Sequence, residues 1–137
     1  KVFSKKIPNK LLHVINFFDN KIIDRQDLSD PSEFLQIMFL KNNKDKIYKA
    51  HKHLKKKGNE NVITQESLIV INGKILCTFY DSDGTFIEEQ TISSGDCVIT
   101  FYGGHKYEIL EDNTFFYEVK NGPYLGQIKD KKWIVDE

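Results

Sequence analysis

The feature that most constrains this chain is its punctuation. From Ile47 onward, short apolar runs alternate with compact turn signals. Asn42-Asn43-Lys44-Asp45 precedes Ile47–His53, and Asn72-Gly73 separates Ser67–Ile71 from Lys74–Tyr80. Asp81-Ser82-Asp83-Gly84 leads into Thr85–Ile92, and Ser94-Gly95-Asp96 into Cys97–Tyr102. Gly103-Gly104 precedes His105–Leu110, and Glu111-Asp112-Asn113 precedes Thr114–Lys120. Runs too short for helices, with a turn every 8–12 residues or so, predict a β-sandwich or barrel. Asn72-Gly73 reads as a hairpin turn. Helices do not alternate with the strands, which argues against a parallel α/β sheet.

The first thirty residues are mixed. Leu11–Phe18 is compatible with a strand or a short helix, since brief apolar runs do not distinguish them. Asp30-Pro31-Ser32-Glu33 has the chemistry of a helical first turn, and Phe34–Leu40 reads as a strand. At 137 residues the chain is expected to be one domain, 34–137, with an N-terminal extension, 1–33, packed on it.

Charge narrows the functions. The net charge is zero, and Arg25 is the only arginine. A nucleic-acid binder draws its affinity from a basic excess and reads guanine and phosphate through arginine, so no nucleic-acid partner is expected. No apolar run approaches a membrane helix, and no secretory leader is visible, although the first residue is not Met. Cys77 and Cys97 are too few for a disulfide scaffold and read as small strand residues in a reducing, cytoplasmic setting. Lysine is concentrated in 41–57, where eight lysines face one acid, Asp45. Such a run is ordinarily a solvated rim, but Lys55–Lys57 follow a histidine pair and can attract anions there.

That pair is His51 and His53. Strand side chains alternate, so both point to one face, a natural chelate. Glu66 shares its face with Leu68 and Val70, where a carboxylate is costly unless paired or metal-bound. His105 follows two glycines and shares its face with Tyr107. On Thr114–Lys120, one face carries Phe115, Tyr117 and Val119 and the other Phe116, Glu118 and Lys120; which faces inward stays open. His13 stands apart from this group.

Taken together, His-x-His, Glu-x6-Gly and a glycine-rich run to His105 resemble the two motifs of the cupin superfamily. The resemblance implies an all-β double-stranded β-helix, a jelly-roll barrel. It further implies one divalent metal ion, Mn, Fe, Co, Ni or Zn, held by His51, His53, Glu66 and His105. The stretch between His53 and Glu66, Leu54 to Gln65, is longer than in the family pattern, and Phe101 stands where the second motif has proline. Phe79–Gly84 and Glu118-Val119-Lys120-Asn121-Gly122-Pro123-Tyr124 are similar to small WbuC-like cupin metalloproteins of surface-polysaccharide (O-antigen) gene clusters.

That likeness points to a sugar or nucleotide-sugar ligand and to a homodimer. Tyr107 and Glu118 are the candidate substrate-binding residues. Three functions remain open: a metal-dependent enzyme, a non-catalytic small-ligand binder, and a metal-free sugar ketoisomerase or epimerase with His51 or His53 as base.

Overall fold

The computed structural model describes residues 1–22, 24–56 and 59–134, with the backbone alone at 59–61. Two five-stranded antiparallel sheets face each other. The first contains β3 (Arg25–Asp27), β4 (Leu35–Asn42), β8 (Glu66–Asn72), β11 (Cys97–Thr100) and β13 (Thr114–Asn121), in the order β11-β8-β13-β4-β3. The second contains β5 (Ile47–His53), β9 (Lys74–Tyr80), β10 (Phe86–Ser93), β12 (Gly104–Ile109) and β14 (Lys131–Trp133), in the order β10-β9-β12-β5-β14. Two small hairpins, β1 (Val2–Phe3) with β2 (Leu11–His13) and β6 (Lys55–Lys56) with β7 (Asn59–Ile63), stand outside the sheets. A single helical turn, α1 (Gln127–Asp130), precedes β14. None of the described helices is long and apolar enough to cross a membrane.

Asn72-Gly73 does not make the expected hairpin. β8 lies in one sheet and β9 in the other, so the turn carries the chain across the barrel. The same holds for the turns after β4, β10, β11 and β12. Asp81–Gly84, by contrast, joins strands that are neighbours in one sheet, β9 and β10. A turn motif specifies a local reversal and leaves open which sheet the next strand joins. Gly73 serves this corner at φ +96°, and a Cβ there would lie 2.2 Å from Thr114 Oγ1, so glycine alone fits. Asp30–Glu33 is also a turn, not a helix start: Asp30 accepts from the Ser32 amide at 2.9 Å, and the chain runs directly into β4.

The core lies between the sheets. Met38, Leu40, Leu68, Val70 and Phe116 from the first meet Ile75, Cys77, Tyr107 and Ile109 from the second. Burying each large apolar side chain stabilises the fold by about 1.5–3 kcal/mol. β13 turns Phe116, Glu118 and Lys120 inward, while Phe115 and Tyr117 join Phe39 and Phe18 in an aromatic cluster on the outer face. Cys77 is buried and Cys97 exposed, and both are free thiols.

The inward stripes share a gradient. β8 runs from Val70 and Leu68 to Glu66, and β12 from Ile109 and Tyr107 to His105. β4 runs from Leu40 and Met38 to Gln36, and β5 from Tyr48 to His51 and His53. Antiparallel registers align these polar ends: Lys120 lies opposite Glu66 and Gln36, and His105 opposite His51. One end of the barrel is therefore filled with hydrocarbon and the other with ligating groups.

Candidate metal centre

Four side chains meet at the polar end. His51 and His53 project together from β5, with ring centroids 5.2 Å apart. His105 faces His51 across the β12–β5 ladder, the two Nε2 atoms 3.3 Å apart. Glu66 comes from the opposite sheet, its Oε2 3.1 Å from His53 Nε2 and its Oε1 3.5 Å from His105 Nε2. All four are buried. A ligand atom from each histidine lies within 4.8 Å of the others.

Each imidazole is held from behind. His51 Nδ1–H donates to the Lys49 carbonyl at 2.7 Å. His53 Nδ1 lies 3.2 Å from Asp130 Oδ2. His105 Nδ1 lies 2.9 Å from the Thr100 hydroxyl and 3.3 Å from that of Tyr107, whose ring stacks on the imidazole at 4.7 Å. Outer partners of this kind fix the tautomer and turn the second nitrogen inward, as around metal-ligating histidines. Asp130 is itself braced by the Thr64 hydroxyl at 2.8 Å, Lys56 at 3.4 Å and Lys120 at 3.8 Å.

Two observations test whether these residues fit a cation. His53 Nε2 is buried without a well-formed hydrogen bond, although the Glu66 carboxylate is only 3.1 Å away. The Lys49 carbonyl keeps the His51 proton on Nδ1, so the His51 Nε2 aims a lone pair at His105 Nε2, 3.3 Å away. A shared positive charge relieves both conflicts. Three imidazoles and one carboxylate suit a divalent first-row metal and leave positions for a ligand.

The electrostatics agree. Burial holds His51 down at about 3 and His105 at about 4, so both stay neutral. Burial also opposes charge on His53, but the Asp130 and Glu66 carboxylates beside it outweigh burial and lift it to about 9. Glu66 and Asp130 reverse the effect of burial in the same way: His53 and Lys120 keep both carboxyls well below the usual range. Without a metal, an imidazolium proton thus occupies the cation's place. Glu118, pushed up by burial and then by the Glu66 charge, reaches about 8.

Next to His51 and Glu66 lies a cavity of about 20 Å³, room for one water-sized group. Tyr48, Tyr107, Glu118 and Lys131 close it, with Leu68 and Phe116 at its apolar end. The structure thus brings together His51, His53, Glu66 and His105, and sets Tyr107 and Glu118 beside them. Exposed His13 lies elsewhere, on β2. Thr64, Asp130 and Lys131 lie in stretches that carry the resemblance, but sequence reasoning gave neither them nor Thr100 a role at the site, because nothing local marks a polar residue that becomes buried by a distant strand.

No protein-family model matches the chain, and no curated protein matches it in sequence. Solved structures do resemble it. KdgF from Halomonas sp. matches with a TM-score of 0.56 at 14% identity, covering 71% of this chain and 77% of that one. Oxalate decarboxylase from Bacillus subtilis matches with a TM-score of 0.57 at 19% identity, covering 75% of this chain. The fold is that of a cupin. The chain spans only 24% of the oxalate decarboxylase chain. The Bacillus enzyme has Mn(II) centres.

Proposed function

We propose that this cupin holds one divalent metal ion through His51, His53, Glu66 and His105, and that a small polar ligand reacts or binds beside it. The carrying observation is the convergence of three Nε2 atoms, each with its Nδ1 tied outward, on one buried carboxylate. Manganese, iron, cobalt, nickel and zinc all suit this donor set. The metal would supply Lewis acidity and a bound water of lowered pKa. The chain's own groups would do the rest. Glu118 is poised to hold or release a proton near neutral pH, and burial keeps the Tyr107 phenol protonated as a donor.

A metal-free isomerase fits less well. It needs a basic histidine, but His51 is a weak base at about 3 and His53, at about 9, already carries its proton.

The likeness to WbuC-like proteins supports a sugar or nucleotide-sugar ligand in cytoplasmic polysaccharide synthesis. The cavity admits one small group, so the bulk of such a ligand would lie at the barrel end. Lys56 is already committed to Asp130 and the Pro123 carbonyl, which leaves Lys55 as the described rim lysine; Lys57 lies outside the described residues. A homodimer would cover apolar side chains exposed on the outer surface, such as Ile99, Phe101 and Phe34.

The test is elemental analysis of tag-free protein beside the His51→Ala/His53→Ala double variant. Near-stoichiometric metal in the wild type and none in the variant is expected. A wild type that stays empty after exposure to each of the five metals overturns the metal centre. A loaded protein that binds ligand without turnover is a binder rather than an enzyme.

A further inference from the structure

The strand β14 brings a cation to the cavity without a close ion pair. β14 pairs with β5 so that Lys131 lies opposite His53, and its half-buried side chain lines the cavity shared by His51, Glu66 and Glu118. Among the described residues the Lys131 ammonium makes no hydrogen bond and no ion pair within 4.0 Å, while the backbone is held by the Gln127 carbonyl and the β5 ladder. The other cations at this end differ. Lys120 lies 3.8 Å from Asp130 and 4.0 Å from Glu118 and sits over the Tyr124 ring. Lys56 bonds Asp130 and the Pro123 carbonyl.

Consider the charge around the cavity with a divalent metal bound. Glu66 offsets one positive charge and Glu118, if ionised, a second. The metal and Lys131 together still leave an excess of positive charge, whatever the state of Glu118. Buried charge left uncompensated is costly, so the cavity favours an anion. Its volume of about 20 Å³ is room for one water-sized group, enough for a single ligand oxygen.

We propose that the ligand enters carboxylate first, with one oxygen in this cavity between the metal position and the Lys131 ammonium. This rests on the metal-centre reading. Lys131 then selects small carboxylates, or larger polar molecules with a carboxylate end, over neutral analogues.

The experiment loads wild type, Lys131→Gln and Lys131→Arg with cobalt(II), measures the metal content of each, and follows the visible cobalt spectrum during titration with acetate and acetamide. Equal metal content is expected in all three. Acetate should shift the wild-type spectrum and acetamide should not. K131Q should weaken acetate binding tenfold or more, and K131R should restore most of it. A wild type that takes up no cobalt overturns the metal centre and this inference with it. A loaded wild type that treats acetate and acetamide alike, or a loaded K131Q that binds acetate as tightly, overturns this inference alone. If K131Q does not fold, Lys131→Met takes its place, and the acetate–acetamide contrast in wild type remains decisive.

Discussion

Replacing Asp130 with alanine should cost stability and metal affinity together. Its carboxylate is 3% exposed and takes His53 Nδ1 at 3.2 Å, the Thr64 hydroxyl at 2.8 Å and Lys56 at 3.4 Å, with Lys120 at 3.8 Å. Removing it leaves a buried hydroxyl unsatisfied and a lysine that is 6% exposed with Glu118, 4.0 Å away, as its remaining carboxyl within ion-pair distance. Breaking a buried pair from one side costs about 3–5 kcal/mol, a large part of a typical 5–15 kcal/mol total. Asp130→Asn keeps an acceptor but loses the charge, and about 1–3 kcal/mol is expected. Because the same carboxylate orients His53, metal affinity should fall about 10- to 100-fold in both variants. Thr64→Ala is the control: it removes one hydrogen bond worth about 1 kcal/mol and leaves the His53 contact intact, so metal affinity should hold. Urea unfolding in excess chelator measures the first quantity, and competition with a chromophoric chelator the second. An Asp130→Ala protein within about 1 kcal/mol of wild type, with unchanged metal affinity, would refute the reasoning.

Two further outcomes are expected. In the metal-free protein the folded pKa of His53, about 9, lies above the ordinary 6.5, so its stabilisation is complete below pH 6.5 and is lost as pH rises through 9. His51 and His105, at about 3 and about 4, lie below 6.5, so the unfolded chain protonates first and stability falls as pH drops from 6.5 toward 4. Urea midpoints in chelator from pH 5 to 9 should therefore peak near 6.5, and a flat profile would contradict the assignments. Phe116→Ala removes a ring that is 1% exposed and forms one wall of the cavity. It should lower stability by about 3–5 kcal/mol in the same assay, and a loss under about 1 kcal/mol would mean that Phe116 is not the core residue described.

Much of this was legible along the strands and little across them. Ile47–His53 and Lys74–Tyr80 coincide with β5 and β9, because period-two alternation is a local signal. The shared face of His51 and His53 follows from the same rule. The inward face of β13 did not, since Phe115 and Phe116 offer equal apolar content to both sides. Its orientation is settled by partners remote in sequence: Phe39 and Phe18 outside, Leu68 and Tyr107 inside. Asp130 was invisible for the same reason. It lies 77 residues from His53, and only the pairing of β14 with β5 brings it there.

The long stretch between His53 and Glu66 does not keep the four side chains apart. Within it, β6 (Lys55–Lys56) pairs with β7 (Asn59–Ile63) outside both sheets, so these residues do not enter the barrel's register. What places Glu66 is the ladder of β8 with β13 and β11, where it pairs with Lys120 and Thr100. What places His105 is its pairing with His51 and Phe79. A slip of one residue in β8 would turn Glu66, Leu68 and Val70 outward and bring Ser67 and Ile69 inward, losing the ligand and the core at once. The hydrophobic pattern that holds β8 in register therefore also holds its carboxylate against the histidines. The convergence of Glu66 with the three histidines thus follows from core packing, and loop length is free to vary around it.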